Sequence, residues 1–257
     1  MDLALVDTIF ADALTELAPT LTYSGFPVLA AMLGSVIASR YQLGPHGRSH
    51  LQHLAAGIIF SVVAVEILPD VIHRQHPMLL TLGFSSGVAF MLWLETLSGT
   101  TNVPGKKESL ARGLPWSLIA GVGIDVFLDG LLIAITFHNT ANTGRLLSFA
   151  LSVELLSVGL TLASTLRNHG LRASSVFLIN LATFSMIAVG SIAGVTVLPH
   201  LPDTAVDLIL SFGLAALLFL VTEELLVEAH KEVETHISTI LFFAGFLAFL
   251  LLGQNHG

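Results

Sequence analysis

Eight runs of apolar residues, several about 18 residues or longer, set the narrowest limit on what this chain can fold into, because that is roughly the length of α-helix that crosses a bilayer's hydrocarbon core. Runs of that length favour helices over strands. Punctuation by Gly, Pro and charge places the spans near Thr22 to Ser39, Leu51 to Pro69, Met78 to Ser98, Leu114 to Phe137, Leu146 to Leu166, Ser175 to Leu198, Val206 to Ala229 and Ile237 to Leu252. Composition agrees: 54% of residues are hydrophobic, 11% are charged and the mean hydropathy is +0.84, outside the usual range of soluble domains. The expected fold class is all-α, a polytopic membrane helix bundle of about eight spans.

The chain divides into an N-terminal amphipathic segment, residues 1–20, and one transmembrane domain, residues 21–257. Within the first, Asp7, Thr8, Asp12, Thr15 and Glu16 share one helical face while Ile9, Phe10, Leu14 and Leu17 share the other, as an interfacial helix requires. A short surface helix is expected, with a ninth span as the alternative. The basic start of a signal peptide is lacking. With the N-terminus outside, Arg40, Arg48, Lys106, Lys107, Arg112, Arg167, Arg172 and Lys231 fall on the cytoplasmic side and only Arg74 and Arg145 fall outside, in keeping with the positive-inside rule. Both termini then face outward, and Gly99 to Gly113 reads as an exposed cytoplasmic loop. The compact loops point to a bacterial cytoplasmic membrane.

A net charge of -8 argues against nucleic acid as a partner and suits cations. The absence of cysteine removes disulfides, thiolate metal sites and a cysteine nucleophile.

Carboxylates anchor two weak internal repeats. Glu66-Ile67-Leu68-Pro69-Asp70 in the second span is echoed by Glu224-Leu225-Leu226-Val227-Glu228 in the seventh. In the fourth, Asp125 precedes Asp129-Gly130-Leu131 and Ala134; in the fifth, Glu154 precedes Val158-Gly159-Leu160 and Ala163. Both pairs of spans are antiparallel, and inverted repeats of this kind place transporter sites near mid-membrane.

Asp125 and Asp129, four residues apart, share one helix face. A carboxylate at the centre of a span costs roughly 2.5–3.5 kcal/mol on insertion scales, which a cation would offset. Counted from the cytoplasmic ends at about 1.5 Å per residue, Asp129 lies about 20 Å deep and Glu154 about 18 Å. Antiparallel neighbours joined by a short loop then bring Asp125, Asp129 and Glu154 to one focus, an oxygen-donor site for a divalent ion. Gly130 and Gly159 are expected to let the fourth and fifth helices approach closely. Protonation, or pairing with a buried base, is the plainer alternative, but no Lys or Arg lies inside any expected span. Glu66 and Asp70 toward the outer side, and Glu224 and Glu228 toward the inner, mark candidate mouths of an ion path. Glu95 and Glu223 read as ordinary interfacial acids, and His46, His50 and His53 as an incidental exposed cluster. Gly83-Phe84-Ser85-Ser86-Gly87 has nucleophile-elbow spacing without the strand-to-turn context.

The chain resembles the ZIP (Zrt/Irt-like) divalent metal transporters. His53-Leu54-Ala55-Ala56-Gly57 running to Glu66-Ile67-Leu68-Pro69-Asp70 is similar to that family's second span, and Glu223-Glu224 running to Ala229-His230 to its seventh. Asp125-Val126-Phe127-Leu128-Asp129-Gly130 resembles the fourth-span motif His-Asn-x-Pro-Asp/Glu-Gly. The resemblance implies spans arranged three, two and three, outward termini and a metal path between the fourth and fifth helices, and it adds His230 to the candidate path. The departures are specific. Asp125, Val126 and Leu128 replace the family's His, Asn and Pro, and the fifth span carries Glu154, Leu155, Ser157 and Val158 where the family has its His or Gln and Pro-Glu-Gly. The sixth-span Glu falls near Ile187, so one metal site is expected rather than two.

The function expected is transport of a divalent metal cation through a single carboxylate-lined site, with no organic cofactor and no enzymatic activity. Carboxylates suit Mn, Fe or Mg, and Zn is not excluded. The expected partners are the metal cation, the lipid bilayer and a second copy of the chain as a homodimer. The alternatives are an intramembrane aspartyl-type hydrolase using Asp125 and Asp129, or a non-transporting ZIP-like sensor or partner protein.

Overall fold

The computed structural model describes residues 3–41, 44–74, 76–98, 115–230 and 236–254. These form eight helices long and apolar enough to cross a membrane, with no strand among the described residues. The protein is an integral membrane, all-α polytopic bundle. We number the helices α1 (Leu3–Arg40), α2 (Pro45–Val62, continued by a π turn Val63–Ile67 and Leu68–His73), α3 (Pro77–Ser98), α4 (Trp116–Asn139) and α5 (Ala141–Asn168). α6 comprises Ala173–Phe184, Met186–Val197 and a 3₁₀ turn Leu198–His200. α7 comprises Asp203–Phe219, a π turn Leu220–Leu225 and Leu226–Ala229, and α8 is His236–Gln254.

Helices satisfy nearly all of their backbone donors and acceptors internally, which hydrocarbon demands, and apart from the start of α1 the eight apolar runs become these eight helices within about six residues of their expected ends. The N-terminal segment differs from its expectation as a separate surface helix: the backbone runs through residue 20 without a break, so residues 3–20 are the first part of α1. The Gly99 to Gly113 loop, with Lys106, Lys107 and Arg112, lies outside the described residues, as does Lys231.

The packing obeys an inverted repeat in which α1 corresponds to α6, α2 to α7, α3 to α8 and α4 to α5. The most extensive contacts are α1 with α5 and α4 with α6, which the repeat exchanges, and α2 with α8 and α3 with α7, which it also exchanges. Atomic contacts recur at constant sequence offsets. Gly34 of α1 abuts the carbonyl of Leu156 and Gly159 of α5 abuts that of Ala31; in the other copy, Gly190 of α6 abuts Phe127 and Gly130 of α4 abuts Ile187. A Cβ at any of the four would drive into backbone. Gly87 against the Phe212 carbonyl and Gly245 against the Leu54 carbonyl, where an added Cβ would stand 2.7 Å away in each, form a second matched pair. The hydrogen bond Ser24 Oγ to Ser191 Oγ, 2.6 Å, returns as Asn180 Nδ2 to Ser35 Oγ, 2.8 Å.

These contacts correct one expectation. Gly130 and Gly159 do not bring α4 and α5 together; they seat α4 on α6 and α5 on α1. Adjacent residues lie about 100° apart around a helix, so the turn that aims Asp129 at α5 aims Gly130 elsewhere. Likewise Gly83-Phe84-Ser85-Ser86-Gly87 is a helix surface whose two glycines pack on Leu208, Ser211, Phe212 and Ala215 of α7. The result is two four-helix groups, α1, α4, α5 and α6 in one, and α2, α3, α7 and α8 in the other, meeting where α2 lies along α5.

Candidate metal centre

α4 and α5 form a hairpin closed at Thr140, whose extended backbone (φ -152, ψ 119) ends one helix and starts the next. With a single residue between them, the helices must lie side by side, and this sets the depth of Asp125 and Asp129 against that of Glu154. One carboxylate oxygen of each of the three lies within 4.8 Å of the other two. That spacing suits oxygens arranged about one divalent ion, whose metal–oxygen distances are about 2.0–2.6 Å.

Glu154 is 0% exposed and Asp129 3%, while Asp125 is half-buried. Asp129 Oδ2 and both carboxylate oxygens of Glu154 are buried with no hydrogen-bond partner among the described residues. Unsatisfied polar oxygens in an apolar setting cost several kcal/mol, far more if ionised, so the arrangement is costly unless a cation joins it. Three arginines set in or beside the spans are engaged elsewhere. Arg145 lies over the Tyr23 ring at 5.7 Å from its centroid, Arg48 Nη2 donates to Ser164 Oγ at 2.5 Å, and Arg74 pairs with Asp207 at 2.6 Å.

Around this focus the repeat is only partly kept. Asp125 and Glu154 occupy equivalent positions on α4 and α5, but the equivalent of Asp129 is Val158. Glu66 and Glu224 are also equivalents, and each sits in the π turn of its helix. Pro69 accounts for the turn in α2, since its ring would collide with the carbonyl four residues back, whereas α7 keeps the bulge with Val227 at the matching place. The π turns re-aim the two glutamates relative to an unbroken α-helix.

The two glutamates serve different ends of the molecule. Arg74 and Asn139 are hydrogen-bonded, which puts the last turn of α2 and the α4–α5 hairpin at one end, here the hairpin end. On that side Glu66 is half-buried and Oε2 accepts from Thr143 Oγ1 at 3.1 Å; Asp70, also half-buried, lies one turn further out. Toward the opposite end, Glu224 is within electrostatic reach of Asp125, Asp129 and Glu154, and also of Glu95 near the end of α3. Among the described residues, the carboxylates of Glu224 and Glu95 thus extend the series from the centre toward that end. Sequence reading treated Glu95 as an ordinary interfacial acid; with Glu224 it is part of this series. Its spacing along α3 carries no signal, because only the α3–α7 packing brings it near.

Of the remaining path residues, Glu228 lies in the last turn of α7 with its side chain outside the described residues. His230 is exposed; its Nδ1 contacts the Leu226 carbonyl, and its ring stands 5.3 Å from that of His53, which is buried and hydrogen-bonded to the Ser49 carbonyl at 2.8 Å. Neither histidine joins the three central acids. Ile187 is 0% exposed, and its carbonyl lies against Gly130.

No family model matches the chain, and no curated protein is similar to it.

Proposed function

We propose that this protein carries a divalent metal cation across the membrane, bound at mid-span by Asp125, Asp129 and Glu154, and that it is a divergent relative of the ZIP transporters. The observation that carries the reading is the convergence of three intramembrane carboxylates to within 4.8 Å, with buried oxygens that nothing else satisfies. A divalent ion neutralises two of the three charges and replaces the missing partners. The donors are all oxygen, which favours Mn²⁺, Fe²⁺ or Mg²⁺ over softer ions while still admitting Zn²⁺. Access alternates as one four-helix group shifts against the other, since the inverted repeat offers two equivalent arrangements of opposite facing.

Arg40, Arg48, Arg167 and Arg172 lie at the end opposite the hairpin, and Arg74 and Arg145 at the hairpin end. By the positive-inside rule the hairpin end faces out, with both termini, and the series Glu224 and Glu95 leads to the cytoplasm. A bacterial cytoplasmic membrane suits the short connectors. The test is uptake of Mn²⁺, Fe²⁺ and Zn²⁺ into vesicles containing the wild type or Asp129→Asn. Loss of uptake in the variant supports the site; equal uptake by both proteins refutes it. Cleavage of membrane peptides by metal-free protein would instead favour the hydrolase.

A further inference from the structure

The centre is connected to the two ends of the molecule by unlike chemistry. Toward one end the acids Glu224 and Glu95 follow it; toward the hairpin the acids Glu66 and Asp70 are followed by the Arg74 guanidinium. Arg74 sits just past the last turn of α2 and is held twice: Nη1 donates to Asp207 Oδ1 of α7 at 2.6 Å, and Nη2 to Asn139 Oδ1 of α4 at 2.9 Å. Asp207 is only 9% exposed, and the His76 ring nitrogen approaches its other oxygen at 3.9 Å. The first bond joins α2 to α7 inside one four-helix group. The second crosses to the other group.

That difference decides which bond can break. Parting Arg74 from Asp207 would strand a buried carboxylate without its counter-charge, which is strongly disfavoured. Parting it from Asn139 costs a single charge-to-amide bond and leaves the ion pair intact. The Nδ2 of Asn139 is buried with no hydrogen-bond partner among the described residues, so no second hydrogen bond there opposes its release. On α5, next to this contact across the hairpin turn, Thr143 donates to Glu66, a second link between the groups at the same end.

We infer that Arg74 is the gate at the hairpin end: bound to Asn139 it locks the two helix groups together and bars the cation, and it opens by releasing Asn139 while keeping Asp207. The inference rests on the proposed path through the centre, but its test needs neither transport nor bound metal. The chain has no cysteine, so a single reporter can be placed without background. Val158→Cys, one turn from Glu154 on the same face, reports access to the centre, and Ala141→Cys, exposed at the hairpin, identifies that side of a vesicle. The probe is a membrane-impermeant maleimide added from either side of proteoliposomes.

With the gate closed, Val158→Cys reacts slowly from the hairpin side. Adding Asn139→Ala is expected to raise that rate about 10-fold, the equivalent of a contact worth about 1.4 kcal/mol, and to leave the rate from the opposite side unchanged. Arg74→Lys keeps a charge for Asp207 but lacks the planar fork that reaches both partners, and is expected to do the same. Unchanged labelling from the hairpin side in both variants would overturn the gate. So would an equal rise from both sides, which would mean a loosened bundle. Failure of the metal site alone would leave these labelling rates as predicted.

Discussion

The α1–α6 seam and the α4–α5 centre are built on one inverted repeat, yet they keep it to different degrees. At the seam the copy is close: Ser24 with Ser191 becomes Asn180 with Ser35, and where α1 meets α5 and α6 meets α4 glycines abut carbonyls at matching positions. At the centre, Asp125 is answered by Glu154 but Asp129 is answered by Val158. Packing between small residues tolerates only one geometry, so both copies retain it. Of the four equivalent positions at the centre, three carry acids, two on α4 and one on α5. The lesson is that symmetry marks the scaffold and its breach marks the chemistry.

The strongest way to break this comparison is at the glycines. Gly130→Leu and Gly159→Leu each force a side chain into a neighbouring backbone carbonyl, and each should cost more than about 3 kcal/mol, seen as loss of the monodisperse folded protein in detergent. If one is tolerated and the other is not, the seams are not equivalent. Next in size, Asp129→Asn should weaken Mn²⁺ binding about 100-fold by calorimetry, corresponding to the roughly 3 kcal/mol carried by an intramembrane carboxylate. Val158→Asp sharpens the point by restoring the lost symmetry: a fourth carboxylate should tighten binding of a trivalent lanthanide more than that of Mn²⁺. The mouths should differ by less. Glu224→Gln should slow uptake several-fold, and Glu66→Gln, whose carboxylate already accepts from Thr143, should slow it less. The smallest effects belong to the seam hydrogen bonds. Ser24→Ala and Asn180→Ala should each lower stability by about 0.6 kcal/mol and to a similar extent, measured as midpoint shifts in thermal unfolding.

Much of this architecture can be read directly from the chain, for reasons that differ by element. The eight helices are legible because hydrocarbon leaves a backbone no other choice, and the acids of α4 and α5 because depth along two hairpin helices follows from counting residues at a fixed rise. The echo of Glu66 in Glu224 marks α2 and α7 as equivalents, and both helices carry a π turn at those glutamates. What counting could not give was azimuth. Gly130 was expected to face α5 and faces α6, because the side of a helix that meets a given neighbour is set by the whole bundle. Glu95 and Asn139 were invisible for the same reason: each owes its place to a partner remote in sequence. The continuity of α1 through residue 20 also escaped, since Pro19 beside the expected boundary reads as a helix stop, yet the helix continues through it.

The most direct measurement is the position of the ion. Crystals of the protein grown with Mn²⁺ and measured at the manganese absorption edge should show one anomalous peak per chain, within about 2.2 Å of oxygens from Asp125, Asp129 and Glu154. An ion bound elsewhere, with these three carboxylates paired only to one another, would contradict the account.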